Sequence, residues 1–171
     1  MKDLIDKLSS YNIFNYLFPG IIFAAIGTRA TSFPLLFDDI VIGVFVYYLY
    51  GVVVSRIGSL LLEPFLRWAK FVQFASYADF LAASKVDEKI ETLSEQNNMY
   101  RTLASVFLCV LLLVGVDAIQ KRFPSIADHV LQGVIVLLII LFVWSFRKQT
   151  QYISSRITSA IQRSGESHKQ R

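Results

Sequence analysis

Four stretches of the chain are apolar over roughly the ~20 residues that a helix needs to cross a bilayer. They are YNIFNYLFPGIIFAAIG (11–27), IVIGVFVYYLYGVVVSRIGSLLL (40–62), LASVFLCVLLLVGVDAI (103–119) and VLQGVIVLLIILFVWSF (130–146). Asn12, Asn15 and Pro19 interrupt the first, and the other three are more uniformly apolar. This layout predicts an all-α membrane protein of four transmembrane helices, with a cytoplasmic helical hairpin between the second and third. The expected divisions are 1–63 (N-terminal stub and first pair of spans), 64–102 (hairpin), 103–146 (second pair) and 147–171 (basic tail).

Composition agrees with a lipid solvent. Charged residues make up 18% of the chain, below the ~25% of soluble domains, and mean hydropathy is +0.50. The lone cysteine, Cys109, excludes an intramolecular disulfide and a cysteine-built zinc site. With four spans, all of the 17 Lys and Arg residues except Arg29, Lys121 and Arg122 fall on one side. The positive-inside bias makes that side the cytoplasm and places both termini there. It also favours a retained first span over a cleaved signal peptide, since Thr28-Arg29-Ala30 is a poor cleavage site.

Local features assign work to parts of this frame. In MKDLIDKLSS, Leu4, Ile5 and Leu8 oppose Asp3, Asp6 and Lys7, a pattern that lies along an interface. Asp38 and Asp39 complement the dipole of the second span's first turn. Gly51, Ser55 and Ser59 recur every fourth residue and form a small-residue stripe for close helix packing. Arg56 lies beside it, about two turns from the exit at Glu63-Pro64, within snorkelling range of water. Asn12, Asn15, Arg56 and Glu63 therefore form an expected inner-boundary polar cluster. Pairing of Arg56 with Glu63, or with either asparagine, is open. In the third and fourth spans Cys109, Asp117 and Gln132 are the few polar groups; Asp117, near the outer end, is expected to reach water. A dry midplane counts against a transporter.

The segment 64–102 is the most informative. Phe71, Phe74, Ala78 and Leu81 follow a helical rhythm, either extending the second helix or lying on the membrane surface. Ser84 and Asp87-Glu88 resemble a helix start. Trp68, Phe71, Phe74 and Tyr77, with Lys85, Lys89, Glu91, Glu95 and Arg101, are the candidate partner contacts, because an apolar aromatic face needs cover. In the tail, Ile153, Ile157 and Ile161 extend the fourth helix, and disorder is expected beyond Ser164. Its basic residues attract anionic lipid; no nucleic-acid module accompanies them, so no direct nucleic-acid binding is expected.

Catalytic, cofactor and metal sites are not expected. His129 and His168 fall on opposite sides of the membrane, and no metalloprotease, nucleophile-elbow, phosphate-loop or dinucleotide pattern occurs.

Taken together, YNIFNYLFPGIIF, VVSRIGSLLLEP and YADFLAASKVDEKIETLSEQNNMYRT with the four spans resemble the KwaA family, the membrane subunits of Kiwa anti-phage defence systems. The likeness covers about residues 8–105 and carries no site motif. It implies a homo-oligomer in the bacterial inner membrane whose cytoplasmic side engages a soluble effector, KwaB. The expected function is a sensor or scaffold subunit that oligomerises and recruits or regulates that effector. The alternative is an oligomeric pore that depolarises the cell, with Asn12, Asn15 and Arg56 lining its inner vestibule.

Overall fold

The computed structural model describes residues 12–169, and side chains as far as Ile161. The interfacial stub 1–10 lies outside the described residues, as do the side chains at the end of the tail. Among the described residues five helices follow one another: α1 (Ile13–Ala30), α2 (Ile40–Trp68), α3 (Tyr77–Ala83), α4 (Lys89–Arg122) and α5 (Pro124–Lys169). All but α3 are long and apolar enough to cross a membrane. The chain is an all-helical, multi-pass membrane protein.

Two of the helices carry a proline in mid-course, and each accommodates it in the same way. Proline lacks the N–H that would bond one turn back, and its ring crowds the carbonyl there. Immediately before Pro19 the chain makes a π turn at Ile13–Leu17, and before Pro64 another at Gly58–Leu62. A π turn takes in one extra residue and widens the helix, so both helices continue. The second turn has a consequence for every residue beyond it. Arg56 and Glu63 would share a face in a regular helix, being about two turns apart. The extra residue turns Glu63 away.

Helices α1 and α2 cross in backbone contact. A Cβ on Gly20 would fall 1.8 Å from the Tyr47 carbonyl oxygen, and one on Gly51 would fall 1.7 Å from that of Tyr16. Glycine at both positions is what allows the approach. Helix α4 packs into the groove beside them through Val106, Cys109 and Val110, which meet Val54 of α2 in the apolar core. Ile22, Phe23 and Ile26 of α1 close it from the other side. The packed cluster between these helices is apolar.

Helix α5 stands apart from this three-helix unit. None of its described side chains is buried, and a Cβ on Gly133 would meet nothing within 4 Å. The helix runs on to Lys169, past Ser164, where disorder is the expectation from composition. Residues 161–163 and 166 include good helix formers, and Gly165 alone costs only about 1 kcal/mol.

The two ends of the bundle differ. At one end the connections are short, and Asp117 joins them. It is buried (6% exposed), and accepts from the Ser32 hydroxyl and backbone N–H and from Lys121 Nζ at 2.6 Å. The expectation that it reaches water is corrected: neighbouring donors replace water. Asp39 Oδ1 accepts from Ile42 N at 2.9 Å and caps α2. At the other end, α2 stops at Trp68 through a paired closure, Phe71 N to Leu66 O at 2.9 Å and Lys70 N to Arg67 O at 3.0 Å. This is the Schellman arrangement, with Lys70 at φ 57° in the position that usually holds glycine. The chain then runs without helix to Ser76, whose hydroxyl accepts from Asp79 N at 3.1 Å to start the short α3. The helical rhythm read across 64–83 is thus broken by the cap. Helix α4 begins at Lys89, with Asp87 Oδ1 accepting its N–H at 2.9 Å, and continues unbroken into the span.

Candidate functional site

Three long helices converge on one carboxylate at the end bearing the 69–88 connection. Glu63, 8% exposed, accepts from Arg101 Nη1 of α4 at 2.6 Å. Arg67, one turn on in α2, lies 3.8 Å from the other carboxylate oxygen, and Lys148 of α5 lies 4.0 Å from it. The π turn determines where Lys148 docks. Within it Glu63 N reaches back to Gly58 O, and the next residue, Pro64, has no N–H to give. Lys148 Nζ instead donates to Ser59 O at 2.6 Å and to Ser59 Oγ at 2.8 Å. An ammonium thus replaces the donor that the proline removes, and in doing so attaches α5 to α2.

Around this knot lies a crevice in two lobes. The inner lobe, about 340 Å³, is lined by Asn15, Arg56, Ser55, Asn98, Arg101 and Gln149 among others, with no carboxylate among the described residues of its wall. The outer lobe, about 870 Å³, opens between Phe74, Tyr77, Phe80 and Tyr152, with Glu63, Arg67 and Arg101 at its floor. Tyr77, Asn98, Arg101 and Tyr152 belong to both. The ring centroids of Tyr77 and Tyr152 are 6.0 Å apart, so α3 is held against α5. Phe74 lies under the Arg67 guanidinium, 4.3 Å from its carbon, a cation–π contact.

Charge is unbalanced here. Glu63, Arg101, Arg67 and Arg56 all lie close enough to act electrostatically on Lys148, so among the described residues four cations gather near one carboxylate. Arg56 forms no hydrogen bond or ion pair with the described residues, and the buried Arg101 Nε has no acceptor among them.

The residues singled out from the sequence are distributed as follows. Gly51 meets α1 at Tyr16, Ser55 lies 3.4 Å from the Thr102 hydroxyl of α4, and Ser59 holds Lys148 of α5. Each member of the stripe therefore faces a different helix of the same chain. Asn15 is buried, Asn12 half-buried and Arg56 half-buried; Glu63 binds Arg101 rather than Arg56. Among the proposed partner contacts, Trp68 and Phe71 are 80% and 79% exposed, and Lys85, Lys89, Glu91 and Glu95 are exposed. Tyr77 and Arg101 instead turn into the crevice. Sequence reading missed Lys148, Asn98 and Tyr152. Lys148 reads as one more basic residue past a span, and only the missing N–H of Pro64 signals that a donor is needed.

Among the described residues no group of His, Cys, Asp or Glu is arranged to hold a metal ion. No protein-family model, no curated protein and no solved structure matches this chain.

Proposed function

We propose that this chain is an integral membrane sensor or scaffold subunit of a bacterial anti-phage defence system, one that oligomerises and recruits or regulates a cytosolic effector. The observation that carries the reading is the exposure of Trp68 and Phe71, together with that of Lys85 and Lys89, in and next to the 69–88 connection. Side chains of that size are covered when a partner is present. The positive-inside rule puts this end in the cytoplasm. The opposite end offers only short connections. Support for oligomerisation comes from α5, whose apolar surface is almost uncovered within one chain. The resemblance to Kiwa membrane subunits names the effector as KwaB. On this reading, disturbance of the envelope changes how α5 packs, and the Lys148 and Tyr152 contacts pass the change to the 69–88 connection.

The test is a mild-detergent pull-down of the tagged protein expressed with its neighbouring genes, followed by mass spectrometry and native mass measurement. A stoichiometric soluble partner is expected, attached to a homo-oligomer and weakened by the double charge reversal K85E/K89E. A homo-oligomer with nothing attached, together with ion flux in liposomes, sinks this reading in favour of the pore.

A further inference from the structure

The crevice at the α2–α4–α5 junction has the makings of a ligand site that the scaffold role does not require. Its inner lobe presents the guanidinium of Arg56, with no carboxylate among the described residues to meet it, and Arg101, whose Nη1 is committed to Glu63. Gathering like charges in a half-enclosed space is unfavourable unless a counter-charge joins them. Among the described residues the cluster holds only Glu63, which already serves Arg67, Arg101 and Lys148. No further anion joins the cluster among the described residues.

The surroundings narrow the chemistry. Two planar guanidiniums are fork donors suited to carboxylate or phosphate oxygens. Amides at Asn98 and Gln149 and hydroxyls at Ser55 and Tyr77 add donors from several directions. That spread fits a tetrahedral oxyanion better than a flat carboxylate. The inner lobe, about 340 Å³, has room for more than a single ion. The outer lobe is walled by the rings of Phe74, Tyr77, Phe80 and Tyr152, which suits an organic body attached to the anion.

The geometry points to a binding site for a phosphate ester, its phosphoryl group held by Arg56 and Arg101 in the inner lobe and its organic part between Tyr77 and Tyr152. The phosphoryl group is that of an anionic phospholipid or of a soluble phosphate monoester. Occupancy ties α3 to α5, because the two rings come from those helices.

The experiment uses the full chain in a neutral detergent and native mass spectrometry. The probes are dioleoylphosphatidylglycerol, dioleoylglycerol as its phosphate-free counterpart, and adenosine monophosphate. One equivalent of a phosphate-bearing probe is expected to bind. Arg56→Gln should weaken it by roughly tenfold or more, the worth of a charge-assisted bond. Arg56→Lys should recover part of the loss. Arg147→Gln removes an exposed cation close by on another face of α5 and should change binding by no more than about twofold. Binding of the phospholipid alone identifies a lipid site, and binding of the nucleotide alone a soluble ligand. Arg56 makes no bond within the described residues, so R56Q should melt like the parent. If it does not fold, Asn98→Phe, which fills the crevice, should abolish binding in its place. The proposal is overturned if neither phosphate probe binds, if dioleoylglycerol binds equally well, or if R147Q weakens binding as much as R56Q.

Discussion

Lys148 Nζ donates to the carbonyl oxygen of Ser59 at 2.6 Å and to its hydroxyl at 2.8 Å, across 89 residues of sequence. One side chain of α5 therefore answers a backbone acceptor that Pro64 leaves open in α2. No described side chain of α5 is buried, so this contact, with the approach of Lys148 to Glu63 and the Tyr152 ring contact, contributes much of the hold on α5 at that end.

Lys148→Met should consequently loosen α5 while leaving the three-helix core intact. The loss of hydrogen bonds from a charged donor to a half-buried acceptor is worth about 2 kcal/mol. Spin labels at Leu60 and Trp144, which flank the contact, should report a broader distance distribution, and the melting temperature in detergent should fall. Arg147→Met, one residue away and exposed, should leave both unchanged. An unaltered label distance in K148M would mean that α5 is held by something else.

The same contact shows where sequence reading stops. The four spans are legible because an apolar run of that length has few other uses, and the four-residue period of Gly51, Ser55 and Ser59 is a helix face by arithmetic. Pairings between distant residues carry no such signature. Glu63 and Arg101 are separated by 38 positions, and each has a local alternative that reads equally well. The π turn hides more. Pro64 is visible, but the extra residue that it draws into the helix is not, so the two-turn spacing of Arg56 and Glu63 suggests a shared face that the folded helix does not have. Likewise the rhythm of Phe71, Phe74 and Ala78 gives no warning that Lys70 ends the helix, because no glycine marks the cap.

Glu63→Gln tests the charge cluster. Among the described residues it removes the one carboxylate paired with Arg67, Arg101 and Lys148 and leaves their mutual repulsion uncompensated. Removing one partner of a largely buried ion pair costs about 3–5 kcal/mol, so E63Q should unfold at markedly lower temperature or denaturant concentration. Arg101→Met in the same chain should restore part of that loss, since it removes one of the stranded cations. A double-mutant cycle measures the coupling. Additive losses would show that the 2.6 Å contact of Glu63 with Arg101 contributes no pairwise energy.

Lys70→Gly should stabilise the helix end. An L-residue in the left-handed region carries a penalty of about 1–2 kcal/mol that glycine avoids, offset in part by the greater freedom of glycine in the unfolded chain. The net gain is expected to be a few tenths of a kcal/mol to about 1 kcal/mol. Lys70→Val, β-branched and poorly tolerated at φ 57°, should destabilise by at least as much. Thermal melts of the three proteins side by side decide the sign. A stabilising valine would contradict the left-handed conformation at this position.

Two glycines in spans should respond in opposite directions to the same substitution. At Gly51 a methyl group would be driven to 1.7 Å from the Tyr16 carbonyl oxygen, and backbone cannot yield as a flexible side chain can. Gly51→Ala must push α1 away from α2, at a cost of about 3 kcal/mol for overpacking a tight crossing. At Gly133 nothing lies within 4 Å, and Gly133→Ala gains only helix propensity, about 0.5–1 kcal/mol in its favour. Melting curves of the two variants in the same detergent should therefore fall on either side of the parent. Native mass measurement adds a second reading of the Gly133 variant. Within one chain its surroundings are open, so an altered oligomer distribution for Gly133→Ala, with the melt of the dissociated chain unchanged or raised, would place that face of α5 against a neighbouring copy. An unaltered distribution would leave the face to lipid.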